Sequence, residues 1–126
     1  VNDVDQSDFV MGLGITDTTP LDTTDGVFFI SADGDAGLDF LIEKDNTNTS
    51  TEDVATMADD TFITVSWYID PDAEKVYYSI NNAEPVAVAN TNLVTDEELT
   101  VSFGIQNGEA VAKVMTIDYV SVMVER

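Results

Sequence analysis

The sequence has no cysteine and no histidine in its 126 residues. Without cysteine there are no disulfides and no thiolate metal sites, so the fold rests on packing alone. Without histidine the chain lacks the commonest general base and the commonest zinc ligand. Positive charge is almost as scarce. Lys44, Lys75, Lys113 and Arg126 stand against 25 acidic residues, for a formal net charge of -21. Such a surface repels phosphate backbones and anionic lipids, which excludes nucleic acid and membrane surfaces as partners. Three readings of the charge stay open: life in high salt, attraction of cations or a basic partner, or plain solubility. Long apolar runs are missing too. The longest, residues 26–32, has the length of a strand and falls far short of the roughly 18 residues of a membrane span. No basic, apolar leader opens the chain, and a start at Val1 reads as a processed or partial chain.

What is present is a core. The hydrophobic fraction of 44% separates this chain from acidic disordered ones. A single domain of this length buries about two thirds of its unfolded surface. The dominant period is two, the mark of half-buried strands. Phe9, Met11, Leu13 and Ile15 alternate with smaller or more polar residues. So do Ile63, Val65, Trp67 and Ile69, then Val76, Tyr78 and Ile80, then Leu99, Val101, Phe103 and Ile105. Val27, Phe28, Phe29 and Ile30 are apolar on both faces, as are Phe40, Leu41 and Ile42 and the segment 114–124. Strands of this kind sit centrally or have a second cover. Turn chemistry separates the runs: Asp25-Gly26, Asp33-Gly34, Asp70-Pro71-Asp72, Asn81-Asn82 and Asn107-Gly108. Asn107-Gly108 predicts a hairpin into a final strand over 114–124, and the polar stretch 45–51 predicts a loop. Residues 53–59 suit either a helical turn or a short strand.

Eight or nine strands at this spacing predict an all-β fold, a two-layer antiparallel β-sandwich or jelly roll. Its predicted core holds Phe9, Leu13, Ile63, Val65, Trp67, Val101, Phe103, Ile105 and Ile117. Gly12 and Gly14 lie inside a strand and read as a bulge or a close approach.

Catalytic patterns are absent. Serine, threonine and lysine have no partner base, and no glycine-rich phosphate loop occurs. Asp70 and Asp72 have the spacing of paired acids, but Pro71 between them reads as a turn. Asp33 and Asp35 are the calcium candidates. Their loop lacks the ligand spacing of a calcium motif, since Gly37 and Leu38 stand where further ligands belong, so solvated turn acids are the competing reading. No catalytic residue, cofactor or metal is assigned. Trp67 shares a face with Ile63 and Val65 and reads as core. Tyr68, Tyr77 and Ser79 point the other way. The two tyrosines form the candidate binding face, against the simpler reading of ordinary outward residues.

The stretches "FVMGLGITDTTPL…DGVFFISADG" (residues 9–34), "LDFLIEKD" (38–45), "DTFITVSWYID…VYYSINN" (60–82) and "LTVSFGIQNGEAVAKVMTIDYVSVMVER" (99–126) carry a resemblance over nearly the whole chain. They resemble a concanavalin A-like, laminin-G-like jelly-roll module of tailed-bacteriophage virion proteins. The resemblance implies a concanavalin A-like sandwich with further strands ahead of Val1. It implies a capsid decoration or cement protein on the outside of the phage head, bound to the major capsid protein as a homo-oligomer, with a trimer as the expected state. The glucanase pattern E-x-D-x-E is absent, as is the Asp/Asn/His cluster of metal-dependent lectins, so neither activity is carried over. A carbohydrate-binding module that attaches to host or other glycans is the alternative, with Tyr68 and Tyr77 as its contacts.

Overall fold

A computed structural model describes residues 1–16 and 21–124. Residues 17–20 and 125–126, which carry part of the resemblance, lie outside the described residues. Eight strands follow in order: β1 Ser7–Thr16, β2 Thr23–Ser31, β3 Gly37–Lys44, β4 Thr47–Thr56, β5 Val65–Asp70, β6 Lys75–Ile80, β7 Val86–Ala89 and β8 Thr100–Asn107. A 3-10 turn at Val4–Gln6 leads into β1. The strands form two antiparallel sheets, one ordered β4-β3-β2-β1-β8 and the other β5-β6-β7. The protein is an all-β sandwich.

The two sheets meet through one apolar layer. Phe9, Val27, Phe29, Leu38, Phe40 and Ile42 come from the larger sheet, and Val76 and Tyr78 from the smaller. Phe40 ties the layers together, with its ring centroid 5.0 Å from Phe29 and 4.9 Å from Tyr78. Such aromatic pairs add about 0.5–1.5 kcal/mol each beyond their area burial. Ile63, Val65 and Trp67 pack against this layer, half-buried, so the face predicted for them is the observed one.

The two-faced runs are explained by their positions. β2 and β3 are interior strands, and their alternate residues feed a second cluster of Val10, Phe28 and Leu41 on the outer face of the larger sheet. The ring of Phe28 lies over β1 at Gly12 and Gly14. A side chain at either glycine would strike the ring or the backbone of β2, so the glycines serve close approach.

Turn chemistry holds at most sites. Asn81 and Asn82 adopt positive φ, 52° and 58°, and join β6 to β7. Asp70 accepts from the Ala73 amide at 2.9 Å and closes the β5–β6 connection. Gly34 turns at φ 86°.

Four expectations are corrected. Asp25-Gly26 is not a turn: Gly26 has φ 145° but pairs within β2 opposite Gly14, where a β-carbon would meet the β1 backbone. The loop predicted over 45–51 shrinks to the turn Asp45-Asn46, at φ 52° and 59°, and Thr47 begins β4. β4 is an edge strand with largely exposed residues, so threonine and serine suit it and no apolar alternation marks it. Residues 53–56 belong to it too, which selects the strand reading there.

The third correction is the hairpin at Asn107-Gly108. β8 ends there, and segment 114–124 forms no strand. The Gly108 amide instead donates back to Gln6 O at 2.9 Å, and the Asn107 side chain accepts from the Lys113 amide at 2.9 Å, so the chain turns away from the edge of β8. The fourth concerns the core. Val101 and Phe103 share the inner face with Leu13 and Met11 through the β1–β8 register, yet remain 41% and 40% exposed. Ile117 is exposed as well, and Leu13 is half-buried. The three-stranded sheet leaves β1 and β8 partly uncovered, and the strand expected to follow β8 over 114–124 does not form. Ile105 alone of the β8 set packs on the core.

Candidate functional site

The outer face of the smaller sheet carries the two tyrosines. In the β5–β6 register Trp67 pairs with Tyr78 and Tyr68 with Tyr77. Alternation sends the first pair inward and the second outward. The Tyr68 and Tyr77 rings stack with centroids 4.8 Å apart and planes 8° apart. Tyr68 is 50% exposed and Tyr77 half-buried. On its other side Tyr77 pairs with Ala87 of β7, whose small side chain leaves the platform a low border. Ser79 shares this face but is buried, its hydroxyl donating to Ala83 O at 2.7 Å. It is a turn brace and not part of the platform. Each ring covers one face of the other, so the pair presents ring edges and outer faces to a ligand, an aromatic contact of the kind that packs on the apolar face of a sugar ring.

Asp33 and Asp35 lie in the β2–β3 turn. The Asp35 carboxylate accepts from the Gly37 amide at 2.7 Å. The Asp33 amide donates to the Asp8 carboxylate, and the Asp33 side chain faces Gly108. Both residues brace the turn. Among the described residues no group of three or more acidic side chains is arranged to hold a metal ion.

One polar node escaped sequence reading. Glu43, near the end of β3, is only 5% exposed and accepts from the Thr23 hydroxyl at 2.6 Å. Burial pushes its carboxyl above the ordinary value of 4.5; the Thr23 hydrogen bond opposes this, and the charges of Asp25 and Asp22 add to it. Asp25, also buried, accepts from the Asp45 amide at 2.8 Å and fixes the β3–β4 turn. The available signal was a glutamate directly following the apolar run Phe40–Leu41–Ile42. The node joins β2 to β3 and braces the β3–β4 turn, which is a structural role.

The remaining feature is the stretch that runs from the end of β8 through segment 114–124. The Lys113 ammonium, with its side chain 2% exposed, donates to the carboxylates of Asp3 and Glu109, each at 2.5 Å. The Asn2 amide donates to Val114 O at 3.2 Å, and the Val114 amide to Asn2 Oδ1 at 2.6 Å. The segment is therefore fastened at its start. Beyond it Val114, Ile117, Tyr119, Val120 and Val122 are exposed.

No family model matches the chain, and no curated protein or solved structure matches it. Among the described residues no helix is long and apolar enough to cross a membrane.

Proposed function

We propose that this domain is a non-catalytic structural component of a tailed-phage particle, a jelly-roll decoration or cement protein on the outer surface of the head, held by the major capsid protein. The sequence resemblance suggests the particle. The observation that carries the structural role is the exposed apolar segment 114–124, unpaired among the described residues, together with the exposed Val101 and Phe103. A monomer that leaves such a surface open has unfinished packing, and permanent neighbours finish it. The acidic remainder suits a surface that stays in solvent. Washed particles test the reading. The protein is expected on them, reachable by antibody from outside, and its loss is expected to lower resistance to heat and osmotic shock. Absence from washed particles, or a position inside the shell, overturns it.

The Tyr68–Tyr77 stack favours a second reading, attachment to glycans. Here the protein binds members of a broad glycan panel, and Tyr68→Ala with Tyr77→Ala abolishes the binding. A panel without hits removes this reading and leaves the first untouched.

A further inference from the structure

Acidic charge and exposed apolar surface occupy different parts of this chain. From Leu99 to Val124 the only charged residues are Glu109, Asp118 and Lys113, so two acids and one lysine leave a net charge of -1 in a chain of -21. The same stretch holds most of the large hydrophobic side chains exposed among the described residues, including Tyr119 at 69%, Val120 at 50% and Val122 at 54%. Asn2 and Lys113 fix where the segment leaves the body. Past Val114, the backbone makes no hydrogen bond to another described residue. A β-branched stretch whose backbone groups are unpaired among the described residues is one that another strand can join.

We propose that segment 114–124 is an assembly strand, pairing antiparallel and about a two-fold axis with the same segment of a second copy of this chain. The inference rests on the reading of this end as an assembly surface, and it names the partner. Two arguments select a second copy. First, any two copies repel through their acidic coats, and this nearly neutral end is where they approach at least cost. Identical strands meeting antiparallel are self-complementary, as a two-fold contact requires. Second, the apolar surface suits an interface. Ten large apolar residues between Val101 and Val124 are exposed, among them Tyr119 at 69% and Met123 at 93%, and a stable interface covers surface of this kind, roughly 800 Å² on each partner.

Sedimentation of the full chain through a dilution series tests the proposal. A dimer is expected, and it tightens as sodium chloride screens the coats. Val120→Pro removes a ladder donor, and the double variant Val120→Asp/Val122→Asp places charge in the seam. Each is expected to weaken dimerisation by at least about tenfold. The sandwich should be unaffected, because the segment beyond Met115 lies off the core; unchanged Trp67 fluorescence and strand circular dichroism check this. Amides 115–124 should exchange slowly in the dimer and fast in the variants. A chain that stays monomeric at every concentration overturns the pairing, as does a trimer, a dimer that both variants leave intact, or slow exchange of 115–124 in a monomer. A monomer that still decorates particles overturns the pairing and leaves the structural role standing. A dimer of the expected behaviour that is absent from particles keeps the pairing and removes the role.

Discussion

The ring of Phe28 fills the space that a β-carbon on Gly14 would need. The same alanine would also meet Asp25 O, and one at Gly12 would meet Val27 O and the Phe28 Cα, so the neighbouring strand itself stands in the way. Gly14→Ala and Gly12→Ala are expected to destabilise by about 1–3 kcal/mol each through overpacking. Phe28→Ala, which empties the outer cluster, is expected to cost about 3–5 kcal/mol. The double variant Phe28→Ala/Gly14→Ala should cost less than the sum, because the ring that Gly14→Ala strikes has gone. Urea unfolding of the four proteins measures this, and additive costs would show that ring and glycine do not share one space.

What was legible in the sequence, and what was not, follows from where each strand sits. β5 and β6 alternate because one side faces the core and the other solvent, so Trp67 and Tyr78 inward and Tyr68 and Tyr77 outward could be read directly. β2 lies between two strands with both faces covered, and Phe28 and Phe29 on opposite sides announced that. β4 went unread as a strand because an exposed edge needs no apolar side. Its threonines, serine and asparagine look the same in a loop as in a strand whose one partner is β3. The failure at 114–124 is of another kind. Its residues have every local property of a strand, but a strand needs a neighbouring edge, and local pattern does not say whether the same chain supplies one. Ile117 fails as a core residue for that reason, whereas Val101 and Phe103 face inward as read but the three-stranded sheet leaves them partly uncovered. At the candidate site the outward tyrosines were legible and their stacking was not, because ring planes depend on rotamers that register alone does not set. The Asp33-Gly34 turn was legible too, whereas the use of Asp35 as an acceptor for the Gly37 amide required coordinates.

Glu43 gives the fold a pH dependence of definite sign. Its carboxyl titrates above the ordinary 4.5 in the folded protein, mainly through burial. The folded state then binds this proton more tightly than the unfolded chain, and stability falls as pH rises between the two values. The penalty is complete above the raised value and absent below 4.5. Glu43→Gln keeps an oxygen for the Thr23 hydroxyl and removes the buried charge. The variant should melt higher than the parent at neutral pH, with a difference that shrinks as the solution is acidified toward pH 4. A difference that is constant with pH would show that the charge is not its source.

Lys113 fastens the end of the molecule to its beginning. The Asp3 carboxylate, and after it Glu109, hold its ammonium above the ordinary 10.5. A lysine shifted in this direction contributes its full stabilisation below its unfolded value and loses it as pH rises through the folded one. The fastening is therefore intact at every physiological pH. Lys113→Met keeps much of the side chain's bulk and removes both ion pairs. Faster exchange of the Val114 amide is expected, since its acceptor Asn2 lies beside Asp3 in the segment that Lys113 holds. Cleavage by chymotrypsin after Tyr119 should also quicken. Equal exchange at Val114 in the two proteins would mean that the Asn2 hydrogen bonds hold the segment without the lysine.

Salt should stabilise this protein, and calcium should do no more than its ionic strength. With -21 charges on one small domain, repulsion among carboxylates is far more widespread than attraction. Among the described residues the ion pairs involve only Lys44 with Asp96, and Lys113 with Asp3 and Glu109. Screening weakens those few pairs slightly and relieves the repulsion everywhere, so the balance favours the compact state. If screening recovers about 1 kcal/mol, the melting temperature of a domain this size rises by roughly 3–5 °C between low and high sodium chloride. Calcium at matched ionic strength should give the same rise. The Asp35 carboxylate already accepts from the Gly37 amide, and among the described residues no third acid is arranged with Asp33 and Asp35 to complete an oxygen cage. A melting temperature indifferent to sodium chloride would place the repulsion in the unfolded chain as much as in the folded one. A rise with calcium well beyond the matched control, lost in Asp33→Asn/Asp35→Asn, would show that the β2–β3 turn binds the ion.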